Sequence, residues 1–192
     1  MPRIISGSAR GTRLAAPHGD ATRPTGDKVK EALFSIIAAR LPATGFLDIY
    51  AGTGQIGLEA ASRGCDGVVL IEKAPASLAV IRTNIEKTRL AGKVSVMPMD
   101  AKAALKKLST QEKYFPLIFL DPPYKDALAS LTGLAQQLSQ LLSPNGLMIL
   151  EHDSREQPPA FVTNLQLSRS CQYGTAMLSF YIVQNTENLQ NG

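Results

Sequence analysis

The stretch FLDIYAGTGQIGLEAASRG, residues 46–64, decides the fold. Phe46 to Ala51 is apolar and β-prone and predicts a short strand. Gly52-Thr-Gly54 breaks it, and Ile56 to Arg63 reads as a helix that Gly64 stops. Strand, glycine loop and helix open a parallel α/β unit, in which ligands bind beyond the carboxyl ends of the strands. Gly57 completes the spacing Gly52-x-Gly54-x-x-Gly57, whose glycines permit a sharp turn and a close backbone approach to a ligand. That spacing alone is a weak signal and is equally open to a turn set by packing.

Outward from this stretch the alternation continues. Gly67 to Glu72 is a continuous apolar run, as in a strand buried on both faces. Pro75 to Leu90 is helical, with Leu78, Ile81 and Ile85 on one side. Val94 to Asp100 is a strand, Ala101 to Leu108 a short helix, and Pro116 to Asp121 a strand that runs into Pro-Pro. Ala127 to Leu142 is an amphipathic helix. Pro144-Asn-Gly146 predicts a turn into the strand Leu147–Glu151. Leu165–Tyr173 and Ala176–Gln184, separated by Gly174-Thr175, predict a hairpin. Strand–helix alternation over residues 46–151 gives a doubly wound parallel sheet, with an antiparallel strand from the closing hairpin at or near its edge. On the N-terminal side, residues 3–15 around Gly7 and Gly11 predict an irregular hairpin, 21–27 a loop, and Lys28–Leu41 a helix. The expected organisation is an N-terminal hairpin and basic arm over 1–25, one domain over 26–184, and a polar tail over 185–192.

The chain has 192 residues, 44% hydrophobic and 19% charged, which fits a globular domain and excludes wholesale disorder. No apolar run reaches the roughly 20 residues of a membrane helix, and the Arg-bearing start is no secretory signal. Cys65 and Cys171 make neither a disulfide framework nor a zinc pattern, so a cytoplasmic protein with reduced thiols is expected. Residues 1–40 carry seven bases and three acids, whereas 41–192 carry thirteen of each. The whole surplus of +4 therefore sits in the first fifth of the chain, which suits a polyanionic partner, most often nucleic acid.

Three acids fall at three successive strand ends. Glu72, 18 residues after Gly54, stands where an acid can hold both ribose hydroxyls of an adenosine. Asp100 can accept a hydrogen bond from an adenine amino group. Asp48 precedes the glycines, near the path of an ammonium- or sulfonium-bearing chain. An acid-lined cleft favours a cationic cofactor such as S-adenosylmethionine over one with a pyrophosphate. The sharper motif is Asp121-Pro122-Pro123-Tyr124. Two prolines fix their φ angles, so the Asp121 carboxylate and the Pro122 carbonyl can accept both N–H bonds of an exocyclic amine. That aims the nitrogen lone pair at an electrophile by orientation and preorganised electrostatics. Tyr124 offers a face on which a base drawn from its helix can stack.

D-I-Y-A-G-T-G followed by D-P-P-Y resembles motifs I and IV of the class I S-adenosylmethionine-dependent amino-methyltransferases. R-I-I-S-G-S-A-R-G-T-R-L near the N-terminus, T-R-P-T at 22–25, V-K-E-A-L-F at 29–34, G-L-E-A-A-S-R-G at 57–64 and E-H at 151–152 narrow the likeness. Together they resemble the RsmD-type family of 16S ribosomal RNA guanine-N2 methyltransferases over residues 3 to about 153. The resemblance implies a Rossmann-like fold with a mainly parallel seven-stranded sheet and an antiparallel C-terminal strand. It implies a methyl-donor site over Asp48, Ala51, Gly52, Gly54, Glu72, Asp100 and Ala101. It also implies a target-amine site at Asp121, Pro122 and Tyr124. The hairpin and the 22–25 loop would help seat RNA through Arg10, Arg13, Arg23 and Thr25. Tyr50 and Gln55-Ile56 depart from the family's usual Phe and Ala-Leu.

Other readings are open at this point. D-P-P-Y chemistry serves any planar amine, so a DNA adenine or a glutamine amide is an alternative acceptor. The fold also suits a non-catalytic RNA-binding assembly factor, although intact acids and D-P-P-Y argue against it. A nicotinamide oxidoreductase would need a pyrophosphate beside Asp48. His152 reads as a hydrogen-bonded strand-end residue or a substrate contact, His18 as an exposed loop residue, and Cys65 as a small buried one. The two His and two Cys are scattered, so no metal is expected. The partner expected is the small ribosomal subunit or its RNA, and the oligomeric state a monomer.

Overall fold

A computed structural model describes residues 2–16 and 26–184. His18, Arg23, Thr25, residues 21–25 of the expected loop and the 185–192 tail lie outside the described residues. The chain forms two compact units, Met1–Ala104 and Leu105–Gly192.

In the first unit, alternating burial hides Pro2, Ile4 and Leu14 and turns Arg3 and Arg13 outward. Arg3 and Arg13 form one antiparallel bridge. It is flanked by Ile4 N–H to Thr12 O at 3.0 Å, Gly11 N–H to Ile4 O at 2.9 Å and Leu14 N–H to Pro2 O at 2.8 Å. The hairpin curls instead of forming a longer ladder because Gly7 and Gly11 both take positive φ. Helix α1 (Asp27–Ile36) is shorter than the expected Lys28–Leu41, and a 3-10 turn at Ala38–Arg40 follows it. Leu41 is extended because it precedes Pro42, whose ring disfavours helix at the residue before it.

Strands β1 (Phe46–Ile49), β2 (Val68–Glu72) and β3 (Val94–Pro98) are parallel, joined through α2 (Gln55–Ser62) and α3 (Pro75–Thr88). Ile49 lies opposite Ile71 and Glu72 opposite Pro98, so the carboxyl ends of the three strands share one edge. All eight residues of α2 are buried, Glu59 among them. The Glu59 carboxylate accepts Ile5 N–H at 2.7 Å, Ser6 N–H at 3.0 Å and Arg63 Nε–H at 2.8 Å. Ser62 Oγ donates to Ser6 O at 2.6 Å and accepts Ala9 N–H at 3.0 Å. The Lys30 ammonium, fully buried, donates to Arg3 O at 2.6 Å and Gln55 Oε1 at 3.4 Å. Burial pushes its pKa down, and Glu59 opposes that push. The hairpin is thus seated on α1 and α2 by buried polar contacts.

Helix α4 (Ala101–Ser109) runs from the first unit into the second. The second unit holds β4 (Phe115–Leu120), α5 (Ala127–Leu141), β5 (Leu142–Asp153), β6 (Phe161–Val162), β7 (Leu165–Tyr173) and β8 (Ala176–Val183). β4 and β5 are parallel; β8 is antiparallel to both β5 and β7, and so lies between them. The two-residue β6 adds to the seven strands expected. The Pro144-Asn-Gly146 turn is absorbed into β5: Phe115 pairs with Leu142, yet Leu117 pairs with Leu147, so residues between them bulge. Among the described residues no helix is long and apolar enough to cross a membrane.

A Cβ built on Gly7 would lie 1.8 Å from Ser62 O, at φ +85°. Gly7→Ala is expected to lift the hairpin from α2. Hydrogen exchange should then speed about tenfold or more at Ile5 and Ser6 while the β2 amides keep their protection, since local opening spares the core.

Candidate functional site

The loop after β1 is built from left-handed residues. Tyr50, Gly52 and Gly54 have φ of +64°, +55° and +74°. For the glycines this is unstrained, but a tyrosine there costs roughly 1–3 kcal/mol, the kind of strain found at ligand-binding loops. Ala51 N–H donates to Ile71 O at 2.9 Å, and Gly54 N–H to Ala51 O at 2.7 Å, closing a tight turn at the mouth of α2. Gly57 lies in the first turn of α2. A Cβ there would lie 2.2 Å from Leu70 Cδ2, so only glycine lets the helix sit this close to β2.

The first-unit acids are wired into this loop. Asp48 Oδ2 accepts Gly57 N–H at 2.8 Å, and the residue is 1% exposed. Burial raises its pKa to about 7, against the lowering effect of the Gly57 bond, and the charge of Glu72 adds to the rise. Glu72 Oε2 accepts Gly52 N–H at 2.9 Å, while Oε1 accepts the backbone N–H of Lys73 at 2.7 Å and of Ala74 at 2.8 Å. With two acceptor sites per oxygen, Oε1 is saturated and Oε2 retains one site for a hydroxyl. Asp100 is exposed and caps α4, its Oδ1 accepting Ala103 N–H at 2.9 Å, with the Ala101 side of that helix start buried. Ala51, Gly52 and Gly54 lie in the loop after β1, Glu72 is the last residue of β2, and Asp100 and Ala101 stand after β3 at the start of α4. Asp48 stands one residue inside β1, where it shapes the loop from below. The arrangement offers hydrogen-bond acceptors and negative charge to a cationic, hydroxyl-bearing ligand.

In the second unit, Asp121 follows the last residue of β4 directly. Asp121 is half-buried, Pro122 buried and Pro123 exposed. Pro123 O accepts Asp126 N–H at 2.8 Å, which turns the chain at once into a 3-10 turn over Tyr124–Asp126. The Tyr124 side chain lies outside the described residues. His152 is buried, with Nε2 2.8 Å from Ser179 Oγ and Nδ1 3.0 Å from Asp153 O. That makes it a hydrogen-bonded strand residue. Burial raises the Cys65 thiol pKa, as suits an inert core residue. Arg10 and Arg13 are exposed on the hairpin. Among the described residues no cluster of His, Cys, Asp or Glu could hold a metal ion.

Sequence reasoning missed Glu59, Lys30 and Asn84. Asn84 Oδ1 accepts Ala15 N–H at 2.7 Å, and Nδ2 donates to Ala15 O at 3.1 Å and Thr53 O at 2.9 Å. The available signal was a polar residue inside a predicted apolar stripe. Asn84 follows Ile81 by three residues, and Glu59 follows Ile56 by three.

Residues 2–182 match the family model described as conserved hypothetical protein 95. YlbH of Bacillus subtilis (strain 168) is 36% identical over 93% of this chain and 97% of its own. Ribosomal RNA small subunit methyltransferase D of Escherichia coli (strain K12) is 32% identical over 93% of this chain and 88% of its own. An RNA methyltransferase from Salinibacter ruber, solved with S-adenosyl-L-homocysteine, superposes with a TM-score of 0.64 at 17% identity. It covers 85% of this chain and 95% of its own, a likeness of fold.

The raised Asp48 pKa has a signed consequence. An unfolded carboxyl ionises near 3.8 and the folded one near 7, so stability from this group is full below pH 4 and lost as pH rises to about 7. Wild type should therefore lose stability relative to Asp48→Asn between about pH 4 and 7. Denaturant unfolding of both proteins across that range measures the difference.

Proposed function

The chain belongs to this family, the RsmD-type methyltransferases, and we propose that it methylates the 2-amino group of a guanine in 16S ribosomal RNA. The methyl donor is S-adenosylmethionine. The observation that carries the reading is the pairing of two motifs in one chain. Acids follow the parallel strands of the first unit around a Gly-x-Gly turn, and Asp-Pro-Pro-Tyr directly follows β4 in the second.

The donor, when bound, supplies an electrophilic methyl on a cationic sulfur. The residues present suit it. Glu72 Oε2 has an acceptor site for a ribose hydroxyl. Asp100, engaged by Ala103 through Oδ1, keeps Oδ2 for an adenine amine. Asp48, once ionised, adds a negative charge beneath the glycine loop. Asp121 and the Pro122 carbonyl accept the two N–H bonds of the guanine amine, and Tyr124 stacks on the base. Attack in line by the amine nitrogen forms the new N–C bond as the methyl leaves sulfur. The surplus amine proton passes to solvent or to Asp121. The guanine must be unpaired or flipped, because pairing otherwise occupies its amine. Arg10 and Arg13 contact phosphates, and Arg23 and Thr25, further along the arm, add to that contact. The reading places the protein in the cytoplasm as a monomer acting on the small ribosomal subunit. DNA adenine and glutamine-amide methyltransferases more often carry Asn at the Asp121 position, which favours guanine here.

Labelled S-adenosylmethionine supplied with small subunits that lack their native guanine methylation should yield labelled N2-methylguanosine after digestion to nucleosides. Label on adenine or on protein would overturn the substrate. Asp121→Ala should keep cofactor affinity and lose turnover by about two orders of magnitude or more. Arg10→Ala with Arg13→Ala should reduce the log–log salt slope of subunit binding by roughly one to two.

A further inference from the structure

Asn84 connects two parts of the first unit that the proposed function assigns different tasks. It is fully buried on α3. Its Oδ1 accepts the N–H of Ala15 at 2.7 Å and its Nδ2 donates to the Ala15 carbonyl at 3.1 Å. That is the pairing a neighbouring strand would offer, made here by a side-chain amide. The second Nδ2 hydrogen goes to Thr53 O at 2.9 Å, at the centre of Gly52-Thr53-Gly54. The orientation of the amide is fixed by its partners, since a flipped amide would set NH₂ against N–H and oxygen against two carbonyls. Ala15 stands two residues beyond Arg13, and Leu14 between them is wholly buried. The arm cannot shift at Ala15 without disturbing the amide that also holds the cofactor loop.

We propose that Asn84 is a positioning residue that couples cofactor binding to RNA binding, by holding the Arg-bearing arm and the Gly-Thr-Gly loop on one side chain. The inference rests on the function proposed above. A ligand that orders the loop orders Thr53 O, and through the shared amide it orders the arm. The second ligand then meets a partner already fixed, so each tightens the other by the same factor. The ratio of S-adenosylhomocysteine affinities with and without RNA reads that factor. A residue that served stability alone would lower melting temperature and leave the ratio unchanged.

The test is calorimetric titration of S-adenosylhomocysteine into the full chain, alone and with undermethylated small ribosomal subunits. Wild type should bind about fivefold or more tightly with subunits present, the lower end of ordinary coupling. Asn84→Ala removes all three bonds, and Asn84→Asp turns an oxygen toward two carbonyls. Both should bring the ratio to about one. Ala15→Pro replaces the Ala15 N–H, at a half-buried arm position, with a ring carbon that Asn84 Oδ1 cannot accept from, so it breaks the pair from the arm side and leaves Asn84 itself unchanged. It should lower the ratio with little change in cofactor affinity alone, and it serves if the Asn84 variants do not fold. A wild-type ratio of one with both ligands bound, or a wild-type ratio retained in Ala15→Pro, overturns the coupling alone. Wild type that binds S-adenosylhomocysteine but no subunits overturns the proposed substrate, and the coupling with it.

Discussion

A carboxylate at zero exposure constrains the first unit. Glu59 has three hydrogen-bond donors, and two of them are backbone N–H groups of the hairpin. Undocking the hairpin would leave a buried charge with Arg63 as its one remaining donor among those three, a loss of several kcal/mol by analogy with broken buried pairs. Lys30 repeats the logic with opposite sign, its ammonium on the Arg3 carbonyl. The N-terminal arm is therefore part of the fold. Its outward cations are held on a fixed framework, and the bridge sets Arg3 directly across from Arg13. Like charges placed opposite each other destabilise a ladder, so that pair carries a cost.

The same helix carries constraints at both ends. At its C-terminal end, Glu59 and Ser62 receive the hairpin. At its start, Gly54 turns the chain through a left-handed conformation and Gly57 lets α2 approach Leu70. Asp48 then accepts the Gly57 N–H from beneath, and Glu72 accepts the Gly52 N–H from the side. These acids shape the loop as well as charge it. Glu72 spends three of its four acceptor sites on backbone N–H groups, and the one from Gly52 ties the loop to the end of β2.

The strand–helix alternation was legible because it rests on local patterning: apolar runs in β1 and β2, stripes at three- and four-residue steps in α3 and α5, and glycines where the chain turns. Most element ends shifted by a residue or two, but α1 stops five residues before the expected Leu41 and β5 begins five residues before the expected Leu147. β6 was invisible because two residues carry no period, and Phe161 within it is exposed. Asp48, Glu72, Asp100 and Asp121 could be singled out because each ends or nearly ends a predicted strand. Glu59, Lys30 and Asn84 escaped because the backbone groups they bind lie 27 to 69 residues away in sequence. A single chain's local pattern does not encode such pairings. Even so, Glu59 follows Ile56 and Leu58 and Asn84 lies between Ile81 and Ile85 on a helix, positions where a polar side chain must find a buried partner.

The charge distribution carries selectivity that the amine-binding motif lacks. An aspartate, two prolines and a tyrosine can hold any planar amine, whether on a nucleobase or an amide. The cationic surplus is confined to residues 1–40, and the remaining residues carry equal numbers of acids and bases. On the proposed reading a polyanion is drawn to the arm, while Glu72 and Asp100 repel phosphate. On that reading the acceptor must therefore bring phosphates to the arm and keep them from those strand ends. A polyphosphate chain bearing a neutral, extrudable base satisfies both, whereas a free nucleotide would bring its own charge to the acidic strand ends. A glutamine amide in a protein meets the second condition but gains nothing from the arm unless its surroundings are strongly acidic. On the proposed reading, the cationic arm selects nucleic acid, a choice that the amine-holding chemistry of Asp-Pro-Pro-Tyr does not make by itself.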